Sequence, residues 1–93
     1  MSGLNSIQFK ILNSLYFEES FETLLEEVGE SEPVVADELK TMIDKRLVKV
    51  LQYDESKGRY SDSFYYDADN LRDFYYRATN QGVSLHSAGR IEE

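Results

Sequence analysis

The stretch LLEEVGESEPVVADELKTMIDKRLVKV, residues 24 to 50, decides the fold. Leu24, Leu25 and Val28 follow Phe21 at i+3, i+4 and i+7, the apolar stripe of a helix that Ser20 can cap and Gly29 ends. After a short turn, Ser31 and Pro33 are placed to open a second helix, since proline in a first turn has no N–H to lose. Its buried stripe is expected at Val35, Leu39, Met42 and Ile43. At about 100° per residue, Val34, Asp37, Lys40, Thr41 and Asp44 fall on the opposite face. Lys45 and Arg46 suit the negative pole at its end. LVKVLQY, residues 47 to 53, is β-branched and alternating, so it reads as a strand. Two helices across a tight turn, followed directly by a strand, form the centre of the chain.

Working outward, residues 4 to 16 read as another helix, with Leu4, Ile7, Ile11 and Leu15 on one face. Phe9 and Tyr16 lie on a different face, which fits either self-association or burial on two sides. FEES, 17 to 20, breaks the pattern. Beyond the first strand, DESKG (54 to 58) is a turn, RYSDSFYY (59 to 66) a return strand and DADNLRD (67 to 73) a loop or single helical turn. FYYRA (74 to 78) is a further strand, and Thr79 or Asn80 caps a last short helix through Leu85 and His86. The expected domain spans 4 to 88, between tails at 1 to 3 and 89 to 93.

Ninety-three residues hold one domain, and 41% hydrophobic content argues against wholesale disorder. There is no cysteine, hence no disulfide and no thiolate metal site. No apolar run approaches a membrane span, and the N-terminus lacks a signal-peptide layout, so a cytoplasmic protein is expected. The net charge is −8, and its distribution matters more than its sum. No lysine or arginine lies between Lys10 and Lys40, while nine acids do: Glu18, Glu19, Glu22, Glu26, Glu27, Glu30, Glu32, Asp37 and Glu38. The rest of the chain, nine acids against ten bases, is nearly neutral.

The order helix, helix–turn–helix, strand, hairpin, strand, helix resembles the winged-helix transcriptional regulators of bacteria, of the MarR-like and PadR-like kind. The residues that carry the resemblance are LLEEVG and ESEPVVADELKTMIDKRLVKV, similar to helix two, recognition helix and first wing strand. FYYRATNQGVSLH, 74 to 86, is similar to the aromatic–x–x–Thr–x–x–Gly passage from wing to final helix. The implied fold is α+β: a winged helix–turn–helix with a three-helix core, a small antiparallel β wing and a short C-terminal helix.

In such proteins the recognition helix enters the major groove with its N-terminal residues at the base edges. By resemblance those positions here are Glu32, Val34, Asp37, Glu38 and Thr41, with Glu30 in the turn before them. None is an arginine, lysine, asparagine or glutamine, the usual readers of guanine and adenine. Phosphate neutralisation needs bases, and helix two and the turn offer Glu22, Glu26, Glu27 and Glu30 instead. The expectation is a face that meets an unidentified protein partner. The alternative is a DNA-binding regulator using Lys40, Lys45, Lys49, Lys57, Arg59 and Arg77, some of which form a basic wing edge interleaved with aspartates.

Eight of the twelve aromatics fall between Tyr53 and Tyr76. Strand alternation sends neighbours to opposite faces, so about half should face outward. Phe9, Tyr16, Tyr60, Phe64, Tyr66 and Tyr75 are the candidates for an interface, which would make the protein a homodimer; packing within the chain and stacking on a ligand are the other readings. His86 is the single histidine, and no nucleophile–base pattern or glycine-rich phosphate loop occurs. DADNLRD fails calcium-loop spacing, with Arg72 and Ala78 where glycine and glutamate belong. No catalytic residue, cofactor or metal is expected; the chain reads as a binding module.

Overall fold

A computed structural model describes residues 4–63 and 69–89. The elements run α1 (Ser6–Ser14), β1 (Glu19–Ser20), α2 (Phe21–Val28), α3 (Glu32–Asp44), β2 (Val48–Asp54), β3 (Arg59–Asp62), a 3-10 turn (Leu71–Asp73), β4 (Tyr75–Ala78) and α4 (Asn80–Ser87). Four antiparallel strands in the order β1-β4-β2-β3 make one sheet, and the helices pack on one of its faces. This is the α+β winged-helix arrangement expected from the sequence.

Local chemistry accounts for the helix ends. α1 starts two residues later than residue 4, because Asn5 and Gln8 form a reciprocal capping box: the Gln8 N–H donates to Asn5 Oδ1 at 2.7 Å and the Asn5 N–H to Gln8 Oε1 at 3.2 Å. Its buried stripe is Ile11 and Leu12, joined by Leu4 and Leu15 at its flanks. Leu12 replaces Ile7 of the expected stripe, since Ile7 only borders the core. α2 has the expected bounds, with Ser20 accepting from the Thr23 N–H and Gly29 in the left-handed region. Ser31 holds the N-cap position of α3, but its side chain makes no capping hydrogen bond.

α3 closes on an arginine in a place that glycine usually takes. Arg46 has φ 62°, and the next amides fold back: Arg46 N–H donates to Ile43 O and Leu47 N–H to Met42 O. This pairing satisfies the last carbonyls of the helix and carries Leu47 into the core.

The junction then meets α4. The Thr79 hydroxyl donates to Arg46 O at 2.7 Å and accepts from the Gly82 N–H at 3.1 Å, while the Thr79 N–H donates to Leu47 O. A Cβ on Gly82 would lie 2.2 Å from Leu47 O, so only glycine lets α4 approach this closely. The Thr and Gly of the passage that carried the family resemblance are therefore the two residues that seat α4.

Strand register separates two faces. Val48 and Val50 sit opposite Ala78 and Tyr76 on the core side, and all four are buried. Lys49, Leu51 and Tyr53 lie on the other side, opposite Arg77, Tyr75 and Tyr60 respectively. The expected return strand through residue 66 ends at Asp62 among the described residues; Phe64, Tyr65 and Tyr66 lie outside them. The break at FEES hides a strand that the sequence reading missed: Glu19 and Ser20 pair with Tyr76 and Tyr75.

Candidate interaction surfaces

The acidic face is the first surface to build. Val34 and Asp37 are exposed on α3, and the Thr41 hydroxyl folds back to donate to Asp37 O. Glu38 departs from the expected set. Its carboxylate accepts from Gln8 Nε2 at 2.9 Å and Asn5 Nδ2 at 3.2 Å, so it fastens α3 to α1 rather than facing outward. Glu32 is gripped by the Arg72 guanidinium in two hydrogen bonds, 2.7 and 2.9 Å. Arg72 also lies 3.9 Å from Glu22 and over the Phe21 ring, 5.5 Å from its centre. The paired guanidinium holds the Glu32 carboxyl below the usual glutamate range. Glu30 stands 3.8 Å from Lys10.

By its place in the sequence, between the wing strands, Arg72 belongs with the bases of the wing half. It comes from the 3-10 turn and clamps the helix–turn–helix instead. The one signal that could have found it is the capacity of arginine for bidentate carboxylate pairing, which says nothing about the partner.

The basic candidates divide in the same manner. Arg77 reaches Glu18 at 2.9 Å, and Lys49 lies 3.5 Å from Asp62. A backbone N–H first, and then Arg77, keep Glu18 ionised to lower pH than usual despite partial burial. Lys40, Lys45, Lys57 and Arg59 make no ion pair among the described residues. Lys57 belongs to the hairpin turn, where Asp54 Oδ1 accepts from Ser56 N, Ser56 Oγ and Lys57 N and Gly58 takes φ 64°.

The aromatic candidates fall into two groups. Tyr60 stacks edge-to-face with Tyr53 at 5.1 Å and with Tyr75 at 5.0 Å, a ladder on the outer face of the sheet. Desolvation, and then Tyr75 and Glu18, push the Tyr60 phenol up. Phe9 and Tyr16 instead enclose His86: the Phe9 ring centre is 4.3 Å from the imidazole, and Tyr16 Oη is 2.8 Å from Nδ1. Among the described residues His86 Nε2 is buried without a hydrogen-bond partner. The second apolar strip of α1 is thus engaged by α4 of the same chain. Phe64 and Tyr66 lie outside the described residues.

Phe17 was missed. It is the most exposed large apolar residue among the described residues, at 72%. Its signal was available: an aromatic in the break between two helical stripes belongs to neither. No three His, Asp or Glu side chains among the described residues are grouped to hold a metal ion, and no described helix is long and apolar enough to cross a membrane.

No family model matches the chain, and no curated protein sequence matches it. Among solved structures, the PcaV transcriptional regulator from Streptomyces coelicolor is similar, with a TM-score of 0.58 at 20% identity. The match covers 89% of this chain and 52% of that one, so the chain spans about half the length of that regulator chain. At that identity the likeness speaks for the fold, and this chain has the winged-helix fold of α+β type.

Proposed function

We propose that this is a non-enzymatic winged-helix module of transcription-regulator type that works through protein contacts. One observation carries the reading. The first two turns of α3, from Glu32 to Leu39, hold three carboxylates and no base. Unit charges at 4 Å interact by roughly 4 kcal/mol near a protein surface, so carboxylates set against phosphates oppose docking. The pairing of Glu32, Glu30 and Glu38 within the chain reduces that repulsion without creating attraction. Asp37 stays exposed in the middle of the face, and Glu22, Glu26 and Glu27 stay exposed on α2. The likeness to a transcriptional regulator supports the regulator type as ancestry of the scaffold.

Self-association belongs to this reading and uses the Tyr53–Tyr60–Tyr75 ladder. Light scattering at high protein concentration tests it, and a strict monomer removes it. The protein-contact reading is tested by titrating a labelled random duplex at low salt. The expected result is no saturable binding, whereas micromolar, salt-sensitive binding overturns it.

A second reading rests on Lys57 and Arg59, exposed on the hairpin without a carboxylate partner among the described residues. Those two residues fit a wing that touches a phosphate backbone. Under the first reading, Arg59→Glu combined with Lys49→Glu leaves the duplex titration unchanged.

A further inference from the structure

We propose that the corner where α1 passes into β1 docks a basic segment of a partner protein, an arginine or lysine entering between Glu19 and Glu27 while an adjacent aliphatic side chain covers Phe17. This deepens the protein-contact reading by assigning a place and a partner chemistry, and it rests on that reading.

Phe17 stands 72% exposed beside Tyr16, itself 37% exposed. The two line a cleft of about 470 Å³ with Asn13 and Ser14 of α1, Glu19 of β1 and Glu27 of α2. Large apolar side chains set in a cleft with polar walls are the usual make-up of a docking anchor.

Charge selects the occupant. The bases that fold back onto the acidic third of the chain are already taken: Lys10 by Glu30, Arg72 by Glu32 and Glu22, Arg77 by Glu18. Among the described residues, Glu19 and Glu27 receive none of them. Burial, and then the neighbouring Glu27, push the Glu19 carboxyl above its usual range. A cation placed there removes the repulsion, and its aliphatic stem lies along Phe17. A second copy would bring its own excess of acids to the corner, and a duplex would bring phosphates.

The test is an anisotropy titration of the whole protein with a short labelled peptide that alternates arginine and leucine. Saturable binding is expected, weakened about tenfold or more by Phe17→Ser and likewise by Glu27→Gln. Glu55→Gln, on the distant hairpin turn, leaves it unchanged. In an NMR titration the Glu19 midpoint falls when the peptide is bound. It also falls in the free Glu27→Gln protein, which checks the geometry independently of any partner. The proposal is overturned if no saturable binding occurs, if Phe17→Ser has no effect, or if Glu55→Gln weakens binding as much as Glu27→Gln does, the mark of diffuse attraction. It is equally overturned if Phe17→Ser dissolves a dimer, which would hand the corner to a second copy. The peptide arm contains no nucleic acid, so its failure and a positive duplex titration are separate results.

Discussion

Tyr75 and Tyr76 are neighbours in one strand with opposite surroundings. Tyr76 is fully buried opposite Val50, and its hydroxyl donates to Leu71 O at 2.7 Å. Tyr75 is half-exposed on the outer face and meets Tyr60 edge-to-face. The same side chain is a core element in one register position and a surface element in the next. The sheet therefore divides these neighbours by parity: one face holds the fold together, and the other carries charge pairs and stacked rings around the buried Leu51.

The sharpest way to break this division is Tyr76→Ala, which should cost about 3–5 kcal/mol, the range for losing a buried large aromatic. A two-state denaturant titration measures it. Gly82→Ala, on the core side of the α4 junction, should cost about 3 kcal/mol, because its Cβ meets the Leu47 carbonyl at 2.2 Å. A loss below about 1 kcal/mol would mean that α4 shifts freely. Tyr76→Phe keeps the ring and removes one of the two hydrogen bonds to Leu71 O, which still accepts from the Phe74 N–H, for an expected loss of about 0.5–1.5 kcal/mol. On the other face, Tyr75→Ala should cost about 1 kcal/mol or less, the scale of a cross-strand pair. If Tyr75→Ala matched Tyr76→Ala, the parity argument would fail.

The smallest effect is electrostatic and has two signs. Glu18 and Glu32 titrate below the usual glutamate range in the folded protein, so they favour folding at neutral pH. That contribution is complete above the unfolded value and disappears as pH falls through the folded values. Glu19 behaves oppositely: its folded value is raised, so its charged form opposes folding at neutral pH. Glu19→Gln should therefore raise the melting temperature slightly at pH 7, and the gain should vanish in acid. Glu32→Gln should lower it at pH 7, and less so at high salt.

Much of the architecture was legible because it is local. The i, i+3, i+4, i+7 spacing of α2, the proline in the first turn of α3, the alternation of β2 and the Asp54–Gly58 turn all act within a few residues. The misses were also physical. A two-residue strand at Glu19–Ser20 has no periodicity to read, and it exists because β4 offers an edge. Leu12 replaced Ile7 in the core because α1 is covered by α2, α3 and α4 together, which moves the buried stripe.

The order of the helices and the longer strands, the caps at Ser20, Gly29 and Thr79 and the segregation of acids into one third of the chain were determined by the sequence itself, since spacing, capping and formal charge need no distant partner. Which carboxylates remain open to a visitor was decided only by the tertiary structure. Glu32 meets Arg72 from 40 positions away, Glu38 turns to α1 across 30, and Tyr16 reaches His86 across 70. Such pairings follow from how the chain closes on itself, and hydrogen-bond geometry falls off too steeply with distance for any linear pattern to reveal them.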